Sequence, residues 1–323
     1  MSQNQNPVSR RHFLKITSAT TAGLYLSADG FSEPNTPSPD VSTVSFGLAT
    51  DVHYCDHDPE GNRYFRQSIQ KISECIDDFN QEDLSFVIQM GDLVDREINS
   101  FDKILSVCQR FQPSLYHVLG NHDFDIDDKY KENVHERLGL SSKYYDFVKG
   151  PWRFIVLDGN DLSIAAYAEG SERYKVSTQL YQKCRQENKY NAQPWSGAIG
   201  KKQMVWLKGR LDLATQQQQK VIIFCHFPIV PENALNLWND NELYTLISTY
   251  DCVIAYMNGH NHAGNYGERG GIHFVNFKGL VETSNTNAYA IVRLAPDQIT
   301  ITGFGREPSR TLKLPSMSEK PTV

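Results

Sequence analysis

The apolar positions of this chain fall into short runs that stop abruptly at polar clusters. Residues 44–50 (VSFGLAT), 84–90 (LSFVIQM), 115–119 (LYHVL), 220–225 (KVIIFC) and 251–257 (DCVIAYM) are predominantly apolar and show little alternation. Runs of this kind indicate strands buried on both faces. Between them the apolar spacing becomes helical. Phe65, Ile69, Ile72, Cys75, Ile76 and Phe79 predict an amphipathic helix over 63–80, and further helices are read over 99–111, 127–138, 201–214 and 242–249. Residues 144–148 and 152–157 read as an antiparallel pair across Gly150 and Pro151, and residues 271–305 as a late β-meander. Residues 159–199 are polar and irregular, with one helix near 174–188, and read as an insertion close to the site. Strand, helix, strand in succession predicts parallel crossover units and an α/β fold.

Each strand run delivers a polar cluster at its end. In chain order these are Asp51-x-His53, Gly91-Asp92, Gly120-Asn121-His122-Asp123, His226 and Gly259-His260-x-His262. In parallel α/β sheets the carboxyl ends of the strands are where ligands bind. Carboxylate, imidazole and amide oxygen without thiolate suit Mn²⁺, Fe or Zn²⁺. Any one cluster alone reads equally well as a polar turn; five in sequence do not.

Composition narrows the setting. The chain has 323 residues, 40% apolar and 22% charged, ordinary for a globular protein. A formal net charge of −6 argues against nucleic acid as partner. Six cysteines show no paired zinc-type spacing and read as buried free thiols, with periplasmic disulfides left open. Arg10, Arg11 and Lys15 precede a modestly apolar run that ends in Leu26-Ser27-Ala28. This predicts a twin-arginine export signal over 1–28, the twin-arginine translocase as a partner during export, and a periplasmic location. Its removal takes the net charge from −6 to −9. The run is too short and polar to span a membrane, and no stable membrane association is expected. Residues 29–42 read as a linker, 43–313 as the catalytic domain and 314–323 as a tail.

The five clusters, in this order, resemble the calcineurin-like metallophosphoesterases. The resemblance implies two facing mixed sheets flanked by helices, a four-layer α/β/β/α sandwich with the late β-meander in the second sheet. It also implies two divalent metal ions, Mn²⁺ first among them: Asp51, His53 and His262 would hold one, Asn121, His226 and His260 the other, and Asp92 would bridge them. Such a pair clamps a phosphate and acidifies a shared water for attack on phosphorus. His122 would serve the leaving oxygen, with Asp123 orienting its imidazole. Asp95 and Arg96 read either as supports of the site, as substrate contacts, or as a surface ion pair.

Residues 63–68 (RYFRQS), 89–92 (QMGD), 116–122 (YHVLGNH), 171–174 (SERY), 237–239 (LWN), 279–283 (GLVET) and 303–306 (GFGR) carry a narrower similarity, to the manganese-dependent ADP-ribose/CDP-alcohol diphosphatases. That branch implies a small nucleotide-type substrate cleaved at its diphosphate. The sequence departs from the animal members at His53, Asp123 and Ala263, where they carry Gln, Glu and Asp. Arg63, Arg66 and Arg96 are candidate phosphate contacts, and Tyr54, Tyr64 and Trp238 candidate nucleobase platforms. A cyclic-nucleotide phosphodiesterase, a broad phosphomonoesterase and a non-catalytic binding module are the rival readings.

Overall fold

The computed structural model describes residues 43–314; the predicted signal and linker, and the tail beyond Leu314, lie outside them. The first half of the chain alternates as expected: β1 (Val44–Ala49), α1 (Ser68–Phe79), β2 (Phe86–Met90), α2 (Asn99–Cys108) and β3 (Leu115–Val118). Two single helical turns follow, α3 (Asp128–Lys131) and α4 (Val134–Arg137), where one helix was read over 127–138. Then come β4 (Tyr145–Lys149), β5 (Trp152–Val156), β6 (Leu162–Ser163), α5 (Glu172–Gln186), β7 (Gly197–Ala198) and α6 (Lys201–Gln216). The chain continues through β8 (Lys220–Phe224), α7 (Asp240–Ile247), β9 (Val253–Asn258), β10 (Asn265–Arg269), β11 (Ile272–Asn276), β12 (Ala288–Leu294), β13 (Gln298–Gly305) and β14 (Arg310–Lys313).

These strands form two six-stranded sheets, β14-β13-β12-β1-β2-β3 and β10-β11-β9-β8-β5-β4. Both are mixed, with β1, β2 and β3 parallel in one and β11, β9, β8 and β5 parallel in the other. The sheets face each other across an apolar layer. Phe46 and Phe86 of one sheet meet Phe154 of the other at ring-centroid distances of 5.9 and 4.9 Å. On the outer faces, Ile72, Ile76, Phe101 and Ile104 of α1 and α2 cover the first sheet, and Leu207, Leu211, Leu243 and Ile247 of α6 and α7 cover the second. Each fully buried side chain of this size contributes about 1.5–3 kcal/mol. Gly47 shows how tightly the helix layer sits, since a Cβ there would lie 2.7 Å from the Phe79 ring. The result is the four-layer α/β/β/α sandwich.

The late meander is divided between the sheets. β11 pairs parallel to β9 in the second sheet, whereas β12, β13 and β14 extend the first sheet from β1. Apolar alternation marks a strand but not its neighbour, and that is why the sequence placed them together. The polar edge strand β10 (NYGER) carries no apolar run to betray it. Leu314, at the start of the predicted tail, is buried in the inter-sheet core. No helix among the described residues is long and apolar enough to cross a membrane.

Candidate metal centre and active site

All five polar clusters meet at one end of the sandwich, beyond the carboxyl ends of β1, β2, β3, β8 and β9. The backbone there is held in unusual conformations. Asp51, His53, Asp92 and His260 have φ of 52°, 46°, 53° and 66°, a left-handed region that costs an L-residue about 1–2 kcal/mol. Pairing between the β1 and β2 loops offsets that cost: His53 N donates to Asp92 O at 2.8 Å and Tyr54 N to Leu93 O at 3.0 Å. Close approach also requires glycine. A Cβ on Gly120 would lie 2.1 Å from Asp92 Oδ1.

The imidazoles are oriented from behind. His53 Nδ1 meets Asp95 Oδ2 at 3.1 Å, His262 Nδ1 meets Glu282 Oε1 at 2.9 Å, and His226 Nδ1 meets the Met90 carbonyl at 2.8 Å. A proton on each Nδ1 leaves each Nε2 lone pair free for a cation. His53 Nε2 lies 3.1 Å from His262 Nε2, and His262 Nε2 lies 3.2 Å from Asp51 Oδ1, a cluster shaped for one ion. Asp92, His226 and His260 form a second cluster. There, Asn121 Oδ1 and His260 Nε2 are buried with no hydrogen-bond partner, and Asp92 Oδ2 and His226 Nε2 face each other at 3.1 Å without hydrogen-bond geometry. Burying such atoms unpaired costs about 1–3 kcal/mol each, so a cation is the partner their chemistry calls for. Asp92 Oδ2 sits between the clusters, 3.4 Å from His53 Nε2 and 3.1 Å from His226 Nε2, while Oδ1 accepts from His122 N at 2.7 Å. The seven residues therefore fit two ions that share Asp92.

The site's own electrostatics draw positive charge. Burial opposes protonation of His226 and His262, but the charges of Asp92 and Asp51 outweigh it and push both up to about 9. His260 is driven well below the imidazole range by burial and then by His226. For His122, burial is outweighed by Asp92 and Asp95, which raise it above its ordinary value.

Asp123 does not orient His122. It lies on the inward side of the 3-10 turn His122–Phe124, where its carboxylate accepts from Gly120 N, Asp92 N, Leu93 N and Val94 N at 2.8–3.2 Å. It therefore buttresses the loop that carries Asp92. Asp95 stands beside His122 instead, with Oδ1 at ion-pair distance, 3.3 Å, from His122 Nδ1 and Oδ2 3.1 Å from His53 Nδ1. The Asp95 carboxyl is held well below its usual range, His122 and His53 overcoming the effect of burial. Its sequence signal was the Gly-Asp-x-x-Asp spacing, which gave no direction for the side chain.

Beside these groups opens a cavity of about 520 Å³, lined by Arg63, His122, Phe124, Asp125, Lys131, Trp195 and Leu235 together with the metal-cluster residues Asp92, Asn121, His260 and His262. Arg63 lines it, with Nη1 3.4 Å from His122 Nε2. The other substrate candidates are elsewhere. Arg66 is exposed and held at 2.5 Å by both Asp56 and Asp58. Arg96 pairs with Glu60 and lies over the Phe65 ring. Tyr54 turns away from His53 into the core under α1 and α2, and Tyr64 does not line the cavity. Trp238 is 1% exposed and packs on Tyr181, whereas Trp195, which the sequence reading passed over, is 45% exposed at the cavity. Trp238 nevertheless shapes that wall, because its Nε1 donates to Gln193 O at 3.0 Å and its backbone N to Gly197 O at 2.8 Å, bracketing Trp195.

Known proteins resemble this chain. Chains named manganese-dependent ADP-ribose/CDP-alcohol diphosphatase from Bos taurus and Arabidopsis thaliana are 28% and 27% identical, over 83% and 81% of this chain and 93% and 94% of theirs. A dimetal phosphatase from Danio rerio superposes with a TM-score of 0.76 at 24% identity, covering 84% of this chain and 99% of that one. The family model for calcineurin-like phosphoesterases matches residues 44–264. This chain belongs to the calcineurin-like phosphoesterase family.

Proposed function

We propose that this protein is a hydrolase dependent on two divalent ions, Mn²⁺ first among them, that cleaves the diphosphate of nucleoside-diphosphate-linked substrates such as ADP-ribose or CDP-alcohols. One observation carries this reading. A single cavity holds the unpartnered donor atoms of the metal clusters, the His122–Arg63 pair and an exposed tryptophan. The names of the relatives support the same substrate class.

Asp51, His53 and His262 would hold one ion, Asn121, His226 and His260 the other, with Asp92 common to both. Bound cations of this kind neutralise phosphoryl oxygens and supply an acidified water. The protein's own groups do the rest. Asp95 Oδ1 lies 3.3 Å from His122 Nδ1, and His122 Nε2 accepts from Arg63 at the cavity wall. Once a substrate phosphate takes the Arg63 guanidinium, Nε2 is free to carry a proton and pass it to the departing oxygen. When a diphosphate is cleaved the leaving group is itself a phosphate, and the Arg63 guanidinium is suited to receive its charge. Trp195, Phe124 and Leu235 give the cavity an apolar side on which a base can stack.

The test is hydrolysis of ADP-ribose, CDP-choline, cyclic AMP and p-nitrophenyl phosphate with Mn²⁺, side by side. The proposal expects the two diphosphates to be cleaved with the highest kcat/KM. Faster turnover of cyclic AMP or p-nitrophenyl phosphate would overturn the substrate class.

The paired arginines support export by the twin-arginine translocase and a periplasmic location. Replacing Arg10 and Arg11 by Lys should retain the protein in the bacterial cytoplasm, as fractionation would show.

A further inference from the structure

Lys71 occupies a position on the inward face of α1 that the helical pattern reserves for an apolar residue, and it is 2% exposed. Its ammonium donates to three backbone carbonyls, Leu280 O at 2.9 Å, Glu282 O at 2.8 Å and Thr283 O at 2.6 Å. That uses all three of its donors on one segment. A buried ammonium is costly unless its donors are satisfied, as these three carbonyls satisfy them.

What it holds is the back of one metal cluster. Gly279 N donates to His262 O at 3.2 Å, and a Cβ on Gly279 would lie 2.7 Å from the His262 ring. Leu280 N donates to Thr50 O and Val281 N to Asp51 O, both at 3.0 Å. Glu282 holds His262 Nδ1, and its backbone bridges to Arg63. Thr283 takes a left-handed φ of 65° where the segment turns. Among the described residues, no hydrogen bond of residues 279–283 reaches Asn121, His226 or His260.

We propose that Lys71 is a positioning residue for the Asp51–His53–His262 metal position alone, acting by fastening residues 279–283 behind Asp51 and His262. The inference rests on the two-ion reading above. It gives the first position a support of its own; the second is joined to it through Asp51, whose carboxylate accepts from His260 N at 3.2 Å, and not by residues 279–283 directly.

The experiment is calorimetric titration of Mn²⁺ into the metal-free full chain, for the wild type and for Lys71→Met, with the melting temperature of each metal-free form. Loss of a group that orients a ligand costs about 10–100-fold in metal affinity. One ion should weaken by that factor in Lys71→Met while the other is unchanged, and the paramagnetic signal of paired Mn²⁺ should give way to that of isolated ions. On a His226→Ala background the remaining ion should weaken on adding Lys71→Met; on a His262→Ala background it should not. Lys71→Gln, which keeps a polar donor on the segment, should give a smaller weakening with the same selectivity if Lys71→Met fails to fold. Equal weakening of both ions, or of neither, in whichever of these variants folds would overturn the inference. A wild type that binds fewer than two ions would instead overturn the two-ion reading.

Discussion

The floor and the wall of the cavity are built in different ways. The floor comes from strand ends. Asp51, Asp92, Asn121, His226 and His260 all lie within three residues of a strand whose position is set by the inter-sheet core. The wall comes from connections. Trp195 belongs to the 159–199 insertion, Leu235 to the β8–α7 link, and Arg63 to the loop before α1. Chemistry that needs atoms within tenths of an ångström is placed on the rigid part, and substrate contacts are placed where loops can change without disturbing it. The comparison predicts that floor changes harm every substrate and wall changes only some.

The largest effect expected is from the floor. Asp92→Asn should bind fewer than two Mn²⁺ per chain and lose nearly all turnover, measured by metal content after dialysis and by hydrolysis of any substrate. Full metal content with full turnover would break the assignment of Asp92 as the shared ligand. His122→Ala should keep both ions and slow diphosphate cleavage by roughly 10²–10⁴, the usual worth of a positioned acid. The loss should be larger for an alkyl phosphate ester, whose alkoxide must be protonated as it leaves, than for p-nitrophenyl phosphate, whose leaving group needs no proton; an equal loss for both esters would argue against a proton donor.

How much of this was readable in the sequence follows the same division. Every floor residue announced itself as a polar cluster after an apolar run, because a buried strand and its terminus leave that signature together. Wall residues leave none. Tyr54 follows a ligand, yet beyond the left-handed His53 it turns into the core. The 226–242 connection does run past the site, but it presents Leu235 there and buries Trp238 behind Trp195. Trp195 stood in a stretch rich in Gln, Asn and Tyr, and a lone large apolar residue in such a stretch was the one available hint. The double duty of Asp95, and the division of the late strands between two sheets, depend on contacts between distant residues that no local pattern encodes.

Two smaller effects sharpen the comparison. Asp158 lies behind the wall, and burial, opposed by Lys143 and Arg173 and aided by Asp161, pushes its carboxyl up to about 7. A folded-state value raised above the ordinary carboxylate range means the folded state binds more protons between about pH 4 and pH 7, so stability falls as pH rises through that window. The slope is at most about 1.4 kcal/mol per pH unit. Asp158→Asn should flatten this loss, read as the difference in melting temperature from wild type between pH 5 and pH 8; parallel curves would contradict it. The smallest effect expected is at Arg66, whose exposed pairs with Asp56 and Asp58 lie outside the cavity. Arg66→Ala should change kcat/KM by less than about threefold, because exposed ion pairs contribute only ~0–1 kcal/mol. A tenfold loss confined to nucleotide substrates would return Arg66 to the wall.

The central claim is that the floor performs the hydrolysis and the wall selects the substrate, and Trp195→Ala tests it most directly. The measurement is KM and kcat of this variant for ADP-ribose, CDP-choline and p-nitrophenyl phosphate in Mn²⁺, beside the wild type. Loss of a base stacked on an aromatic ring costs ~1–3 kcal/mol, so KM for the two nucleotides should rise roughly 5–150-fold. The values for p-nitrophenyl phosphate should stay as they are, since it has no base to place. Unchanged KM for both nucleotides, or a loss shared equally by all three substrates, would contradict the account.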